Sequence, residues 1–301
     1  MSVQTIAILS PGDMGHAVGL TLVNHGFNLI TCLRGRSKRT RNLSKIGQIR
    51  DVPTLEGLVT EADLILSILV PSQAVSIAEK VATAMTITQK HTIYADCNAI
   101  SPDTTQVINR IITNAGSEFI DASIVGAPPG RGTPPRLYIS GPAAESLLPL
   151  DKTGIDIQPL GASIGRASAL KMCYAALTKG TSALHLALLT AAEAMGVSAE
   201  LRDELVYSQS ETYRRMENEL PAIPVKAGRW IREMEEIAAS FEQVGVTGKF
   251  HQGAADMFAL LNRTPFARET PESLDKERTL QDTIGTIVQY LSDIPDNQSQ
   301  N

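Results

Sequence analysis

Short apolar runs alternate with helical patterns through the first 160 residues of the chain. The runs that indicate buried strands are bounded by residues typical of turns. They are residues 5–9, 29–33, 64–69, 92–95, 118–122 and 136–140. Alternation of strands and helices is the pattern of a doubly wound parallel sheet, so we predict an α/β domain over residues 1–160.

The pattern changes after Gly161, where strand-like runs give way to helical ones. Residues 163–195 are rich in Ala, Leu and Thr and contain no proline, which predicts one long central helix of about 45–50 Å. Further helical periodicity follows at residues 199–219, 224–244, 251–261 and 274–291. We predict an all-α C-terminal domain over residues 161–301, and we expect its polar tail at residues 295–301 to be disordered.

The long helix is too apolar to be covered by the few helices that follow it. We expect a second subunit to cover the remaining apolar face, which predicts a homodimer formed through the C-terminal helices. The alternative is a helix that breaks near Lys179 and Gly180 and folds back on itself.

Composition narrows the classes of function. With 43% hydrophobic and 20% charged residues, the 301-residue chain is typical of a globular protein. Its net charge of -5 argues against nucleic acid or an anionic membrane as the main partner. The apolar runs are too short to span a membrane, and the N-terminus lacks the apolar stretch of a signal peptide, so we expect a cytoplasmic protein.

The cysteines, Cys32, Cys97 and Cys173, are widely spaced and lie in apolar stretches. We expect them to be buried, reduced thiols. Because the sequence has no Cys-x-x-Cys pair or His/Cys cluster, we expect no metal site.

The most informative motif follows the first predicted strand. Gly12 and Gly15 flank Asp13 and Met14 where a helix is predicted to begin, which is the turn that presents backbone N–H groups to a dinucleotide pyrophosphate. Ser10 stands where the usual Gly-x-Gly-x-x-Gly has its first glycine, so the turn must accept a residue with a Cβ. We predict a Rossmann domain in which these five residues contact the cofactor. The alternative is a similar turn that binds no nucleotide.

The chain after the second predicted strand indicates which cofactor is bound. NAD sites usually carry an acidic residue there, whereas this chain has Arg34, Arg36 and Ser37 in a run of five cations within eight residues. Guanidinium groups suit a 2′-phosphate, so we predict NADP, with NAD remaining possible. The alternative is a solvated cationic surface.

Ligands of open α/β sheets lie beyond the carboxyl ends of the strands, which here are followed by turns at residues 69–72, 96–102 and 121–129. We predict that the nicotinamide lies between Val70 and Pro71 in the first of these turns and Asn98 in the second.

Taken in order, these motifs resemble the β-hydroxyacid dehydrogenase superfamily, which includes 6-phosphogluconate dehydrogenase and 3-hydroxyisobutyrate dehydrogenase. The matching segments are residues 12–15, Arg34, residues 70–71, 96–98, 121–126 and 165–172. The C-terminal half resembles a less characterised, phosphogluconate-dehydrogenase-like branch of the superfamily.

The resemblance implies that Lys171 is the general acid/base. A free lysine titrates near ~10.4, so burial or neighbouring cations would have to lower its pKa for base catalysis. The alternative is a lysine that extends into solvent from a long helix. Where the family usually has asparagine this chain has Ala175, so we add Tyr174, whose hydroxyl could make the missing polar contact, as a candidate catalytic residue.

The family's carboxylate-binding Ser-Gly-Gly is also replaced, by residues 125–127, so the substrate contacts are less defined. The candidates are Ser123, Gly126, Arg131, Arg232 and His251. Arg131 offers a guanidinium for a carboxylate or phosphate, Arg232 aligns loosely with a family lysine, and His251 opens a predicted helix. The alternatives are a solvated arginine, an ordinary charged helix face and a structural histidine.

These features predict an NADP-dependent oxidoreductase that transfers hydride between the nicotinamide and a small β-hydroxyacid or its keto form. Two alternatives remain open. An imine reductase would use the same fold but usually has another proton donor at the lysine position. A non-catalytic NADP-binding sensor would bind the cofactor without turnover.

Overall fold

The computed structural model describes residues 3–291 of the chain. These residues form two compact units, one that ends at Cys173 and one that begins at Tyr174. The first unit is α/β and the second is helical, which confirms the predicted fold class. The functional division between residues 160 and 161 stays a prediction. Within the described residues, no helix combines the length and the apolarity that crossing a membrane requires.

The first unit contains one sheet of eight strands. In chain order they are β1 (Thr5–Leu9), β2 (Asn28–Thr31), β3 (Arg50–Asp51), β4 (Leu64–Ser67), β5 (Ile93–Asp96), β6 (Phe119–Val125), β7 (Arg136–Ser140) and β8 (Asp156–Pro159). Across the sheet the order is β3-β2-β1-β4-β5-β6-β7-β8. Neighbouring strands are parallel except for β6 and β7. The order reverses between β1 and β4, as in nucleotide-binding doubly wound sheets.

All six predicted strands are present, and β1 and β7 have the predicted bounds. The sequence prediction missed β3, which has only two residues, both exposed, and β8, a strand at the sheet edge that ends in Pro159. The antiparallel β7 also departs from a wholly parallel sheet. Residues 126–135 connect β6 to β7 without a helix, and parallel strands need a longer crossover than this.

Helices cover both faces of this sheet. The α-helices that lie wholly in the first unit are α1 (Asp13–Asn24), α2 (Lys38–Ile46), α3 (Leu55–Glu61), α4 (Ala74–Thr88) and α5 (Pro102–Asn114), and short 3-10 turns span Pro71–Gln73 and Ala144–Leu150. Alternate residues of β1 belong to two apolar layers. Ile6 and Ile8 pack in the layer that includes α1, and Ala7 and Leu9 in the layer that includes α3, α4 and α5.

The long helix α6 (Arg166–Met195) has 30 residues and begins in the first unit. The helices that follow it are α7 (Ser198–Ser208), α8 (Ser210–Glu219), α9 (Pro224–Gln243), α10 (Lys249–Arg263) and α11 (Leu280–Val288), with 3-10 turns at Leu220–Ala222 and Pro265–Arg268. Because α6 is continuous through Lys179 and Gly180, the alternative of a helix that folds back there is wrong.

Three smaller predictions need correction or fall outside the structure. The predicted helix 199–219 is two helices, which separate at Gln209, where φ is -138°. Cys97 is buried and Cys32 partly so, but Cys173, on α6, is exposed. The predicted polar tail at residues 295–301 lies outside the described residues.

Candidate functional site

The turn between β1 and α1 leaves an open cradle at the start of the helix. Gly12 is the N-cap of α1, and no side chain within residues 3–291 caps the helix there. A Cβ on Gly12 would meet nothing within 4 Å, whereas one on Gly15 would lie 3.3 Å from Ile8 Cγ2. Space beside Gly12 and close packing at Gly15 are what backbone binding of a pyrophosphate requires.

Ser10 adopts the backbone conformation that a glycine would favour in this turn. Its φ is +55°, in the left-handed region where glycine is favoured. Asp13 lies in the first turn of α1, where its carboxylate would repel a phosphate, but Arg39 Nη2 lies 2.6 Å from Asp13 Oδ1. Met14 packs against the layer of the core that includes α1. The predicted cofactor turn therefore has its negative charge paired.

A cavity of about 400 Å³ lies beside the end of β2. Arg34 and Arg36 line it together with residues of α3 and α4, and Lys80 of α4 adds a third cation. Sequence reasoning missed Lys80, although Gln73, Ser76, Ile77 and Lys80 follow the spacing of one helix face.

The predicted contact Ser37 has a different role in the structure. It does not line this cavity, and its hydroxyl accepts a hydrogen bond from the Thr40 N–H at 3.1 Å as the N-cap of α2.

Asn98 follows β5 and is 2% exposed, and hydrogen bonds to groups at the ends of β4 and β5 hold its amide. Its Oδ1 accepts from the Leu69 N–H at 2.6 Å, and its Nδ2 donates to Ser67 Oγ at 3.0 Å and to Asp96 Oδ2 at 2.9 Å. These bonds determine which side of the amide faces each neighbour. In the turn after β4, Pro71 is buried and Val70 is 42% exposed.

Asp96 is almost fully buried, and burial is the main reason why its pKa is raised from 3.8 to about 7. The hydrogen bonds from Asn98 oppose this rise, and the neighbouring charge of Asp121 adds to it. The Asp96 carboxyl therefore changes its charge near neutral pH.

The carboxylate of Asp121, at the centre of β6, holds the beginning of α6. Asp121 Oδ2 accepts from the N–H groups of Gly165 (2.9 Å), Ala167 (3.0 Å) and Ser168 (3.2 Å). The Ser168 hydroxyl donates to Oδ1 at 2.6 Å, and the Ser140 hydroxyl donates to Oδ2 at 2.8 Å. Asp121 has no exposed surface, so all of these bonds are screened from water. The sequence analysis assigned this carboxylate no role.

Lys171 lies on α6 above the same strand. Its Nζ donates to the backbone carbonyl of Ile124 at 2.7 Å, and the side chain is only partly buried. The ammonium is therefore held at β6 rather than extended into solvent. Tyr174 follows three residues later on α6 and is 46% exposed.

Three of the predicted substrate residues lie in the first unit, and the structure does not bring all three together. Ser123 is fully buried in β6, and its hydroxyl has no hydrogen-bond partner within the described part of the chain. Gly126 has φ +128°, and a Cβ there would come within 3.0 Å of the backbone of Pro135. Arg131 is exposed and lines a separate cavity of about 230 Å³ along α1.

In the second unit, Arg232 is paired with Glu235 at 3.0 Å and with Glu236 at 2.9 Å. His251 is buried against Phe241, and burial lowers its pKa, which favours the neutral ring. Its Nδ1 has no hydrogen-bond partner among residues 3–291.

Glu233, which follows Arg232 on α9, does not share that residue's partners. It forms a buried ion pair with Lys179 at 2.7 Å, and the Lys179 ammonium lies 5.6 Å from the centre of the Trp230 ring. An arginine and a glutamate adjacent in sequence on α9 therefore have different partners.

The glycine turn, the reversal of strand order and the cationic cavity together define a dinucleotide-binding domain of the Rossmann type. Residues 5–147 match the family model described as the NAD binding domain of 6-phosphogluconate dehydrogenase. Residues 192–261 match a second model, described as a domain of unknown function, DUF1932. These matches confirm the predicted resemblance and identify an NAD(P)-binding domain.

One curated relative and three solved structures are similar to this chain. An uncharacterised 28.5 kDa protein of Methanothermus fervidus is 28% identical over 183 residues, which are 61% of this chain and 69% of that protein. A conserved protein of unknown function, whose structure is described as similar to 3-hydroxyacid dehydrogenases, is 26% identical with a TM-score of 0.63, covering 86% of this chain and 96% of that one.

The two remaining structures show a shared fold. The 3-hydroxyisobutyrate dehydrogenase of Mycobacterium tuberculosis with L-serine is 17% identical, with a TM-score of 0.67 over 95% of this chain and 99% of that one. An imine reductase from Myxococcus stipitatus in complex with NADP+ is 16% identical, with a TM-score of 0.52 over 94% and 99%. The fold is therefore common to hydroxyacid dehydrogenases and imine reductases.

Proposed function

We propose that the protein is an NADP-dependent oxidoreductase that transfers hydride between the nicotinamide and a small β-hydroxyacid or its keto form. The observation that carries this proposal is the Lys171 ammonium, held 2.7 Å from the Ile124 carbonyl on β6. Strand β6 lies next to β5. Asn98, whose amide is held by hydrogen bonds, follows β5.

The cofactor contacts divide among three parts of the first unit. Ser10, Gly12, Asp13, Met14 and Gly15 form the pyrophosphate turn, with the first N–H groups of α1 as donors. Arg34 and Arg36 would hold the 2′-phosphate, with Ser37 as a weaker contact from outside the cavity, and Lys80 faces the same cavity. Val70 and Pro71, in the turn that the Asn98 amide holds through the Leu69 N–H, would flank the nicotinamide, which would supply or accept the hydride.

Lys171 supplies the proton that balances hydride transfer. In the reducing direction, its Nζ gives a proton to the carbonyl oxygen as that oxygen gains charge, and the neutral amine remains. In the oxidising direction, the neutral amine takes the proton of the hydroxyl group. The bond to the Ile124 carbonyl holds Nζ in place in both directions, because both the ammonium and the amine can donate a hydrogen bond.

The substrate carboxylate is the least defined part of the proposal. Arg131 is the exposed candidate in the first unit, while Arg232 is shared between two glutamates. Ser123, Gly126 and His251 are buried or conformationally restricted, so they are weaker candidates. Tyr174 is exposed enough for its hydroxyl to reach a ligand.

We further propose that the protein is a homodimer formed through its C-terminal helices. Leu177 and Leu184 lie two helical turns apart on α6 and are 68% and 63% exposed. Burying these two side chains against a second copy removes apolar surface from water. This arrangement assigns residues 161–301 to substrate binding and dimerisation.

The alternative function is that of an imine reductase. The fold that this chain shares with that class supports it. Reduction of a C=N bond leaves the same hydride donor but makes nitrogen the proton acceptor. A cyclic imine and a keto acid, offered in parallel with NADPH, distinguish the two functions by the substrate that is consumed. An NADP-binding sensor would consume neither.

The first test is cofactor binding. We expect the Arg34→Ala/Arg36→Ala variant to weaken NADPH by about 30-fold or more and NADH by no more than about threefold, because charge-assisted bonds to the 2′-phosphate are lost. Lys80→Ala should weaken NADPH by about threefold to tenfold, with exposed Lys90→Ala as its matched control. Equal losses for both nucleotides would contradict the assignment to NADP.

The second test concerns turnover. We expect Lys171→Met to lower kcat by about 100-fold to 10,000-fold in a screen of small keto acids, with the NADPH Kd unchanged within a factor of three. Lys152→Met, on an exposed ion pair, is the control. Full activity in Lys171→Met would remove Lys171 from the mechanism.

A further inference from the structure

β6 holds α6 at two points. At the first, Asp121 accepts hydrogen bonds from three backbone N–H groups in the helix's opening turn and from the hydroxyl of Ser168. At the second, the Ile124 carbonyl, three residues further along the strand, accepts from Lys171 Nζ. The candidate acid/base and the start of its helix are therefore both attached to one short stretch of strand.

The first attachment lies deeper than the second. Asp121 is completely buried and Ser168 is 1% exposed, whereas Lys171 is only partly buried. The attachment also extends to a neighbouring helix, because Thr105 Oγ1 of α5 lies 2.7 Å from Ser168 Oγ. A buried carboxylate with charge-assisted bonds to a helix N-terminus is among the strongest anchors that a helix can have.

We propose that Asp121 is the positioning residue of Lys171, fixing the first turns of α6 on β6 and thereby setting where Nζ lies. The catalytic consequence rests on the proposed function of Lys171, but the positioning itself does not. Without the Asp121 carboxylate, the opening N–H groups of α6 lose their acceptor, and the first turns are free to shift along the strand. A misplacement of about 1 Å is enough to cost ~100-fold in rate at a reacting group.

The test measures the chemical reactivity of Lys171 directly. Trace acetylation of the folded protein, analysed by peptide mass spectrometry, gives a relative rate for each lysine. In Asp121→Asn we expect Lys171 to react about tenfold faster than in the wild type, because its local bonds open more often. The rates for exposed Lys90 and Lys152 in the same samples should not change.

The matched control is Asp63→Asn. Asp63 Oδ2 also accepts two backbone N–H bonds, from Gln4 and Thr5, but at the start of β1, which β4 and β5 separate from β6. General loosening of the unit would raise the Lys171 rate in both variants, whereas the positioning role predicts a change only for Asp121→Asn. Equal rates in the two variants, or an unchanged rate in Asp121→Asn, would overturn the proposal.

Asp121→Asn removes a buried charge and needs a milder companion in case it does not fold. Ser168→Ala removes one hydrogen bond to Asp121 and keeps the carboxylate, and we expect about a threefold increase in the Lys171 rate. If Asp121→Asn fails to fold, Ser168→Ala decides, and an unchanged rate in that variant counts against the proposal.

Turnover separates this inference from the proposed function. We expect both variants to lower kcat while the KM for NADPH stays within a factor of two of the wild-type value, because the cofactor turn lies on β1 and α1. If Lys171→Met keeps its activity, the proposed function fails. The acetylation rates would still show whether Asp121 positions Lys171.

Discussion

Two buried aspartates on neighbouring strands have opposite surroundings. Asp96 of β5 and Asp121 of β6 are paired in register, and both are almost fully removed from water. Asp121 faces the N-terminus of α6, which offers three aligned N–H groups in addition to two hydroxyls. Asp96 faces the amide and backbone of Asn98, and its pKa is raised to about 7.

The difference shows that depth alone does not determine what a buried carboxyl does. A helix N-terminus supplies donors and a favourable dipole, so burial of a carboxylate there is compensated. For Asp96, the hydrogen bonds from Asn98 and Ser67 do not offset the cost of burial, so its pKa is raised. In this protein the first arrangement fixes the start of a helix, and the second holds the buried amide of Asn98.

Of the variants that test this comparison, Asp121→Asn is expected to change stability most. Asp121→Asn leaves the buried N–H groups of α6 without a charged acceptor, and we expect a loss of about 3–5 kcal/mol in the free energy of unfolding. Urea unfolding at pH 7 measures it. A loss below ~1 kcal/mol would mean that the anchor adds little to stability.

Asp96 should show its effect through pH. Because the folded-state pKa is about 7 and the ordinary value is 3.8, the folded protein binds more protons than the unfolded chain between these values. This contribution to stability is fully present below the ordinary pKa and is lost as pH rises through 7.

We therefore expect the free energy of unfolding to fall by about 3 kcal/mol as the pH rises from 5 to 8, because the Asp96 carboxyl loses its proton. Asp96→Asn should remove that dependence. The measurement is a series of urea titrations across pH for both proteins, and parallel curves for the two would refute the assignment.

Asn98 offers an intermediate effect on the β5 side. Asn98→Ala removes the acceptor of the Leu69 N–H and the side-chain donor to Asp96 Oδ2, while the backbone N–H of residue 98 still donates to Asp96 Oδ1, and we expect about a tenfold weaker NADPH affinity. Isothermal titration measures the affinity. The Lys171 acetylation rate serves as the control and should stay at the wild-type value, because β6 is not altered.

The smallest effects are expected from two matched hydroxyls. Ser140 donates to Asp121, and Ser67 accepts from the Asn98 amide, and neither has exposed surface. We expect Ser140→Ala to cost about 1.5 kcal/mol and Ser67→Ala about 0.5 kcal/mol, because only the first bond involves a carboxylate paired with a helix N-terminus. Thermal unfolding of the two variants side by side tests the order, and a reversed order would contradict the comparison.

Much of the first unit could be predicted from its sequence, because its strands are continuous apolar runs bounded by turns. The β1–α1 turn was predicted from Gly12 and Gly15, together with the condition that Ser10 must meet. The edge strands β3 and β8 carried no such signal, since they are short and polar. The antiparallel β7 depends on how residues 126–135 turn, which hydrophobic periodicity does not record.

The candidate site was only partly predictable. The sequence named Lys171 and Asn98 as candidates by their motifs, which stays a prediction. It gave no sign of the roles of Asp121 or Lys80, because the bonds of Asp121 to α6 and the place of Lys80 in the cavity beside β2 arise only in the folded chain. Glu233 shows where prediction from sequence stops. Nothing in the sequence around it indicates that it is buried on α9 and paired with Lys179. Such pairings are decided by packing between elements distant in the sequence.

Trp230, the single tryptophan of the chain, belongs to the second unit and lies near two ammonium groups, those of Lys179 and Lys226, at 5.6 and 5.8 Å. Intrinsic emission excited at the indole band therefore reports on one half of the molecule only. Far-ultraviolet dichroism follows both halves at once. Where the two signals diverge during denaturation, the protein has separated into halves that melt independently, and where they coincide it melts as one cooperative body.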